Sequence, residues 1–166
     1  MSETLTRRAA VGAAALGALA LATQTEAEAK DKPTAIAPLV EVLRAHDKAY
    51  AAHDLNGVLA TMTPDVLVLG TSPAEIWMGK KEVGQAYEHF FKDFDKSGET
   101  FDPQFVEGGI DGTLGLFAAT TQVKLTKDGK KSDFGMNLSV AFSNVGGKWL
   151  IRALHYSTLA PEPKKD

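Results

Sequence analysis

The sequence predicts an α+β domain in which three N-terminal helices pack on an antiparallel sheet built from the C-terminal half. Three observations carry this. Apolar residues recur at 3–4 residue spacing in two stretches before residue 97. Strand-like segments dominate after residue 99, and the closing segments alternate in polarity. Asp128-Gly129 and Gly146-Gly147 punctuate that second half as tight hairpin signals.

The first 29 residues read as an address and not as part of the fold. Arg7-Arg8 precedes Ala9–Ala22, an unbroken run of Ala, Gly, Leu and Val, and Ala27-x-Ala29 is a small-residue cleavage signal. As a helix that run would reach only about 21 Å, against a hydrocarbon core of roughly 30 Å, so no stable membrane insertion is expected. Thr6-Arg7-Arg8 resembles a twin-arginine export signal, although Ala10 stands where a Phe or Leu is common. The expectation is a cleavable export signal over 1–29, a single domain over 30–166, and a periplasmic or secreted product.

From Ile36, a first helix carries Leu39, Val40, Leu43, Ala49 and Tyr50 on one stripe, with His46 between them, and Asp47 is expected to face solvent. Asp54 is placed to cap a second helix, Leu55–Thr61, which Thr63-Pro64-Asp65 ends. Val66–Leu69 is a short buried strand. Lys80–Lys96 is the clearest amphipathic helix, its stripe of Val83, Tyr87, Phe90, Phe91 and Phe94 reading as core. Strands follow at Thr100–Gly109, Thr113–Lys127 and Ser132–Ser143, and Ala160–Asp166 is a solvated tail.

The closing strand, Lys148–Ser157, decides the candidate chemistry. Strict alternation sends Trp149, Ile151, Ala153, His155 and Ser157 to one face and Leu150, Arg152, Leu154 and Tyr156 to the other. Pairing Phe142 opposite Trp149 puts Met136, Leu138, Val140 and Phe142 on the face of His155. An imidazole on so apolar a face needs a hydrogen-bond partner or a ligand.

A formal net charge of −3 argues against nucleic acid as a partner. The absence of cysteine excludes disulfides, thiolate metal sites and a Cys nucleophile. Four scattered histidines lack the spacing of a metal site, no phosphate-cradling Gly loop appears, and no cofactor is called for. His53 and His89 read as exposed.

The order helix, short helix, strand, helix, long meander resembles the nuclear transport factor 2-like, or SnoaL-like, superfamily over residues 36–160. Ala51–Leu59, Thr63–Gly70, Trp77–Glu82 and Gly147–Ser157 with Ala160-Pro161 carry the likeness, the last being similar to the calcium/calmodulin-dependent kinase II association domain subgroup. The resemblance implies a cone-like roll, a strongly curved sheet around the helices with a pocket at its wide end. It places His46 where ketosteroid isomerase, a relative, carries its oxyanion-binding Tyr, and Gly70 where that enzyme has its general-base Asp, so the usual base is missing. The expected function is binding of a small, partly apolar molecule, with His155 and His46 as candidate catalytic residues and Tyr50, Trp77 and Ser157 as ligand contacts. Cofactor-free isomerisation, dehydration or hydrolysis would be the reaction class. The alternative is a non-catalytic homodimer or association module joined through an outer sheet face with Leu150, Leu154 and Tyr156.

Overall fold

The computed structural model describes residues 35–93, 100–127 and 129–158. The expected export segment lies outside them, as do Phe94 and the Ala160–Asp166 tail. Helices α1 (Ala37–Ala51) and α2 (Leu55–Ala60) precede strands β1 (Met62–Leu69) and β2 (Ile76–Met78). Helix α3 (Gly79–Asp93) then leads into β3 (Thr100–Asp111), β4 (Leu114–Lys127), β5 (Lys130–Val145) and β6 (Lys148–Thr158). No helix among the described residues is long and apolar enough to cross a membrane.

Local chemistry sets the helix ends. Pro38 in the first turn of α1 costs no hydrogen bond, because the leading N–H groups of a helix have no intrahelical partner. The chain leaves α1 through His53, in the left-handed region at φ 54°, and Asp54 caps α2 by accepting from the Gly57 N–H at 3.0 Å. At the start of α3, the Glu82 carboxylate accepts from the Met78 N–H at 2.8 Å, which satisfies a donor the helix leaves open.

The strands form one curved six-stranded sheet in the order β2-β1-β6-β5-β4-β3. Every pair is antiparallel except β1–β6, which is parallel, so the sheet is mixed where the sequence suggested antiparallel pairing throughout. Strand β1 also starts earlier than expected: Thr63-Pro64-Asp65 lie within it, at an irregularity where its pairing with β6 shifts register. Pro cannot donate to a ladder and is tolerated at such a break.

The helices cover the inner face of the sheet. Leu39 and Leu43 of α1, Val58 of α2 and Val83 and Tyr87 of α3 are buried there with Met136, Leu138, Val140 and Phe142 of β5, as the alternation of β5 predicted. Gly146 and Gly147 both have positive φ and form a two-residue turn, flanked by the pairs Val145–Lys148 and Asn144–Trp149.

Strand β6 departs from its expected pattern. Phe142 pairs with Ile151, not with Trp149, and Ala141 pairs with Ala153. Arg152 is the extra residue of a β-bulge, and one extra residue inverts the inside–outside parity of everything after it. Ile151 faces inward as expected. Beyond the bulge, Leu154 and Tyr156 are buried, at 1% exposure each, while His155 is exposed and Ser157 half-buried. Arg152 turns outward and pairs with Asp65 of β1.

Candidate functional site

One buried polar cluster is assembled from three elements. His46 of α1 lies among apolar side chains at 1% exposure, with Nε2 at 2.8 Å from the Tyr87 hydroxyl of α3. Tyr87 in turn shares a hydrogen bond with Tyr156 of β6. On the far side of the imidazole, Nδ1 faces Asp47 Oδ1 at 3.3 Å. A carboxylate offers only lone pairs, so Nδ1 carries the proton and Nε2 accepts from the Tyr87 O–H. Burial of groups with this many donors and acceptors requires such mutual satisfaction.

Aromatic rings frame the cluster. Tyr50, one turn beyond His46, stacks on the imidazole at 6.5 Å and 15° and meets the Tyr87 ring edge-on at 5.8 Å. Phe91 closes the group against Tyr50 and Tyr87, and the His53 ring lies flat on Phe91 at 4.6 Å. His53 is thus half-buried and not a free helix-end residue, while His89 is exposed as expected.

The Tyr87 hydroxyl is held well above its ordinary pKa of 10.0, first by burial and then by the charges that Tyr156, Tyr50 and Asp47 would carry beside it. Tyr87 is therefore a neutral O–H donor across the physiological range. Its one proton points at His46 Nε2 in this arrangement and would have to turn away from the imidazole to hold a carbonyl oxygen, or to stabilise negative charge developing on one.

The expected site residues divide. His46 and Tyr50 are brought together at the cluster. Trp77 of β2 stands opposite Val68 on the inner face, half-buried and edge-on to Phe90 at 6.1 Å. His155 and Ser157 are not part of it: the Arg152 bulge puts them on the outer face, opposite Ser139 and Asn137. The same bulge removes Leu154 and Tyr156 from the outer seam where a dimer contact was expected. Asp47, expected in solvent, is buried at 8%, because its carboxylate turns back along α1 to His46.

The sequence reading missed Tyr87, Tyr156 and Glu75. Tyr87 was counted as core filling, and the hydroxyl that gives it a second role meets a partner 41 residues away. Glu75 lies opposite Gly70 on the continued β1–β2 ladder, where the Gly70 N–H donates to the Glu75 carbonyl at 2.8 Å. A Cβ on Gly70 would overlap the Glu75 carboxyl, so an acidic group does occupy the place left empty by the glycine. Among the described residues, no group of three or more His, Asp or Glu could hold a metal ion.

The SnoaL-like domain family matches residues 39–161, and the chain belongs to that family. A Xanthomonas campestris structure assigned as a calcium/calmodulin dependent protein kinase II association domain is 24% identical, with a TM-score of 0.64, 77% of this chain covered and 87% of that one. A ketosteroid isomerase-like protein of Erwinia carotovora atroseptica is 18% identical, with a TM-score of 0.63 and coverages of 79% and 99%. A Streptomyces avermitilis protein assigned as a dehydratase of the nuclear transport factor 2-like family is 14% identical, with a TM-score of 0.66 and coverages of 76% and 97%. These likenesses establish the nuclear transport factor 2-like fold. No curated protein matches the sequence.

Proposed function

We propose that this chain binds a small, partly apolar molecule between α1, α3 and the curved sheet, with an acceptor oxygen of the ligand directed at the Tyr87 and Tyr156 hydroxyls, beside His46. The observation that carries this reading is the convergence of hydrogen-bonding side chains from three elements on one point of an otherwise apolar core. Any reaction there is cofactor-free acid–base chemistry led by His46, with Asp47 orienting the imidazole and the Tyr87 O–H turning from Nε2 to the substrate oxygen, which frees Nε2 to act as the base. Isomerisation, dehydration and hydrolysis all fit that equipment, and fold relatives assigned as a dehydratase and as isomerase-like support the class. His155 has no part in it. The test is a thermal-shift screen of a metabolite library, with each hit repeated on Tyr87→Phe. A hit that shifts the parent and not the variant supports the reading; hits indifferent to Tyr87, His46 and Tyr156 alike would sink it.

The chain also acts as a homodimer in this reading. Phe105, Leu114 and Leu116 are 53%, 64% and 61% exposed, on the sheet face opposite the helices. The pairs Leu116–Ala141 and Ala141–Ala153 make a row of small and apolar groups across that face. A second copy would bury it. Residues 1–29 direct export before this, and amino-terminal sequencing of the exported protein should then begin at Lys30.

A further inference from the structure

We propose that Glu75 is the residue that selects ligands by charge, a role that rests on the cavity assigned above. Three features place its carboxylate there. Glu75 and Trp77 occupy alternate positions on the β2 side of the ladder, opposite Gly70 and Val68, and Val68 is fully buried on the inner face. The parallel register sets Val68 beside Leu154 and Leu69 beside His155, and one further step in the same direction brings Gly70 level with Tyr156. Gly70 therefore lies between Glu75 and Tyr156 with no side chain of its own, and the Glu75 carboxyl leans into that space.

The carboxylate is also held in place. The Ser72 N–H donates to Glu75 Oε2 at 3.1 Å and the Thr71 hydroxyl donates to the same oxygen at 3.4 Å. Both bonds fall on Oε2, so Oε1 is not committed by either. A fixed, half-buried negative charge near Tyr156 gives the proposed cavity two unlike ends. At one end the Tyr87 O–H, turned from His46 to the ligand, donates to an acceptor oxygen; the Glu75 end accepts from a hydroxyl or ammonium and repels an anion. The ligand class is a partly apolar molecule with a carbonyl at one end and a neutral donor or cation at the other.

Three aryl ketones test this on the full chain by NMR titration: acetophenone, 4-hydroxyacetophenone and 4-acetylbenzoate. The parent should bind the hydroxyl compound best and the carboxylate worst. Glu75→Gln keeps an oxygen for Ser72 and Thr71, and should raise the affinity for 4-acetylbenzoate relative to acetophenone about tenfold, as expected from removing one nearby like charge. Gly70→Ala keeps the charge but displaces it, and should narrow the same ratio. A ratio unchanged in both variants, with acetophenone still bound and still dependent on Tyr87, overturns the role of Glu75 alone. Failure of acetophenone to bind the parent, or binding unaffected by Tyr87→Phe, overturns the cavity itself and Glu75's role with it.

Discussion

His46 Nε2 and the Tyr87 hydroxyl oxygen lie 2.8 Å apart and join the first helix to the third through the interior. Tyr87→Phe removes the donor and leaves the imidazole nitrogen buried without it. The expected loss is about 1–3 kcal/mol of unfolding free energy, measured by urea denaturation. His46→Leu, which removes the acceptor instead, should show a non-additive double-mutant cycle with Tyr87→Phe, since the two positions share one bond.

The bulge at Arg152 reverses the importance of neighbouring side chains in β6. His155→Ala should change stability by no more than about 0.5 kcal/mol, as exposed substitutions usually do. Tyr156→Phe should cost about 1 kcal/mol through its lost hydrogen bond with Tyr87. Thermal melts of the two variants against the parent decide whether the bulge exists in solution.

Alkaline pH should expose the buried phenol. The Tyr87 pKa is raised above 10.0 in the folded chain, so above that pH the unfolded chain releases a proton that the folded chain retains. Stability from this group is whole below pH about 10 and declines as pH rises toward the folded value. Phenolate absorbance should show at least one tyrosine that ionises only with unfolding, and Tyr87→Phe should lack that late step.

Leu116→Glu places a charge in the middle of the exposed sheet face. It should leave the melting temperature of the monomer nearly unchanged, because no core contact is lost. Analytical ultracentrifugation should show the parent as a dimer and the variant dissociating at concentrations at least tenfold higher. A monomeric parent at high micromolar concentration would remove the dimer reading.

The fold was legible because its signals are local. The Val83–Tyr87–Phe91 spacing, the Asp54 cap and the Gly146-Gly147 turn each depend on residues a few positions apart, and each appears where expected. His46 and Tyr50 were legible for the same reason, as neighbours on one helical stripe. Arg152 was not, since a bulge is a relation between two strands and alternation within one strand carries no trace of it. Every misplacement beyond it, of His155, Ser157, Leu154 and Tyr156, descends from that residue. Tyr87 is core as its spacing indicates, but its polar partnership, like the burial of Asp47, rests on which hydroxyl or ring nitrogen folding brings near, and apolar spacing does not report that.

The Arg152 bulge also makes the identity of the interior depend on how the last strand pairs. Were the bulge to close with every residue kept, strict alternation would run on from Ile151 and rotate the rest of the strand by half a turn. Imidazole and alcohol would then face the helices, and phenol and Leu would face out. Deleting Arg152 would instead make the ladder regular and leave Leu154 and Tyr156 enclosed, because Ala153 already pairs with Ala141. Two mutually exclusive chemistries are written along the same short segment, and one unpaired residue decides which is enclosed. Homologues that keep this segment but lack the bulge would be expected to present different groups to their ligands.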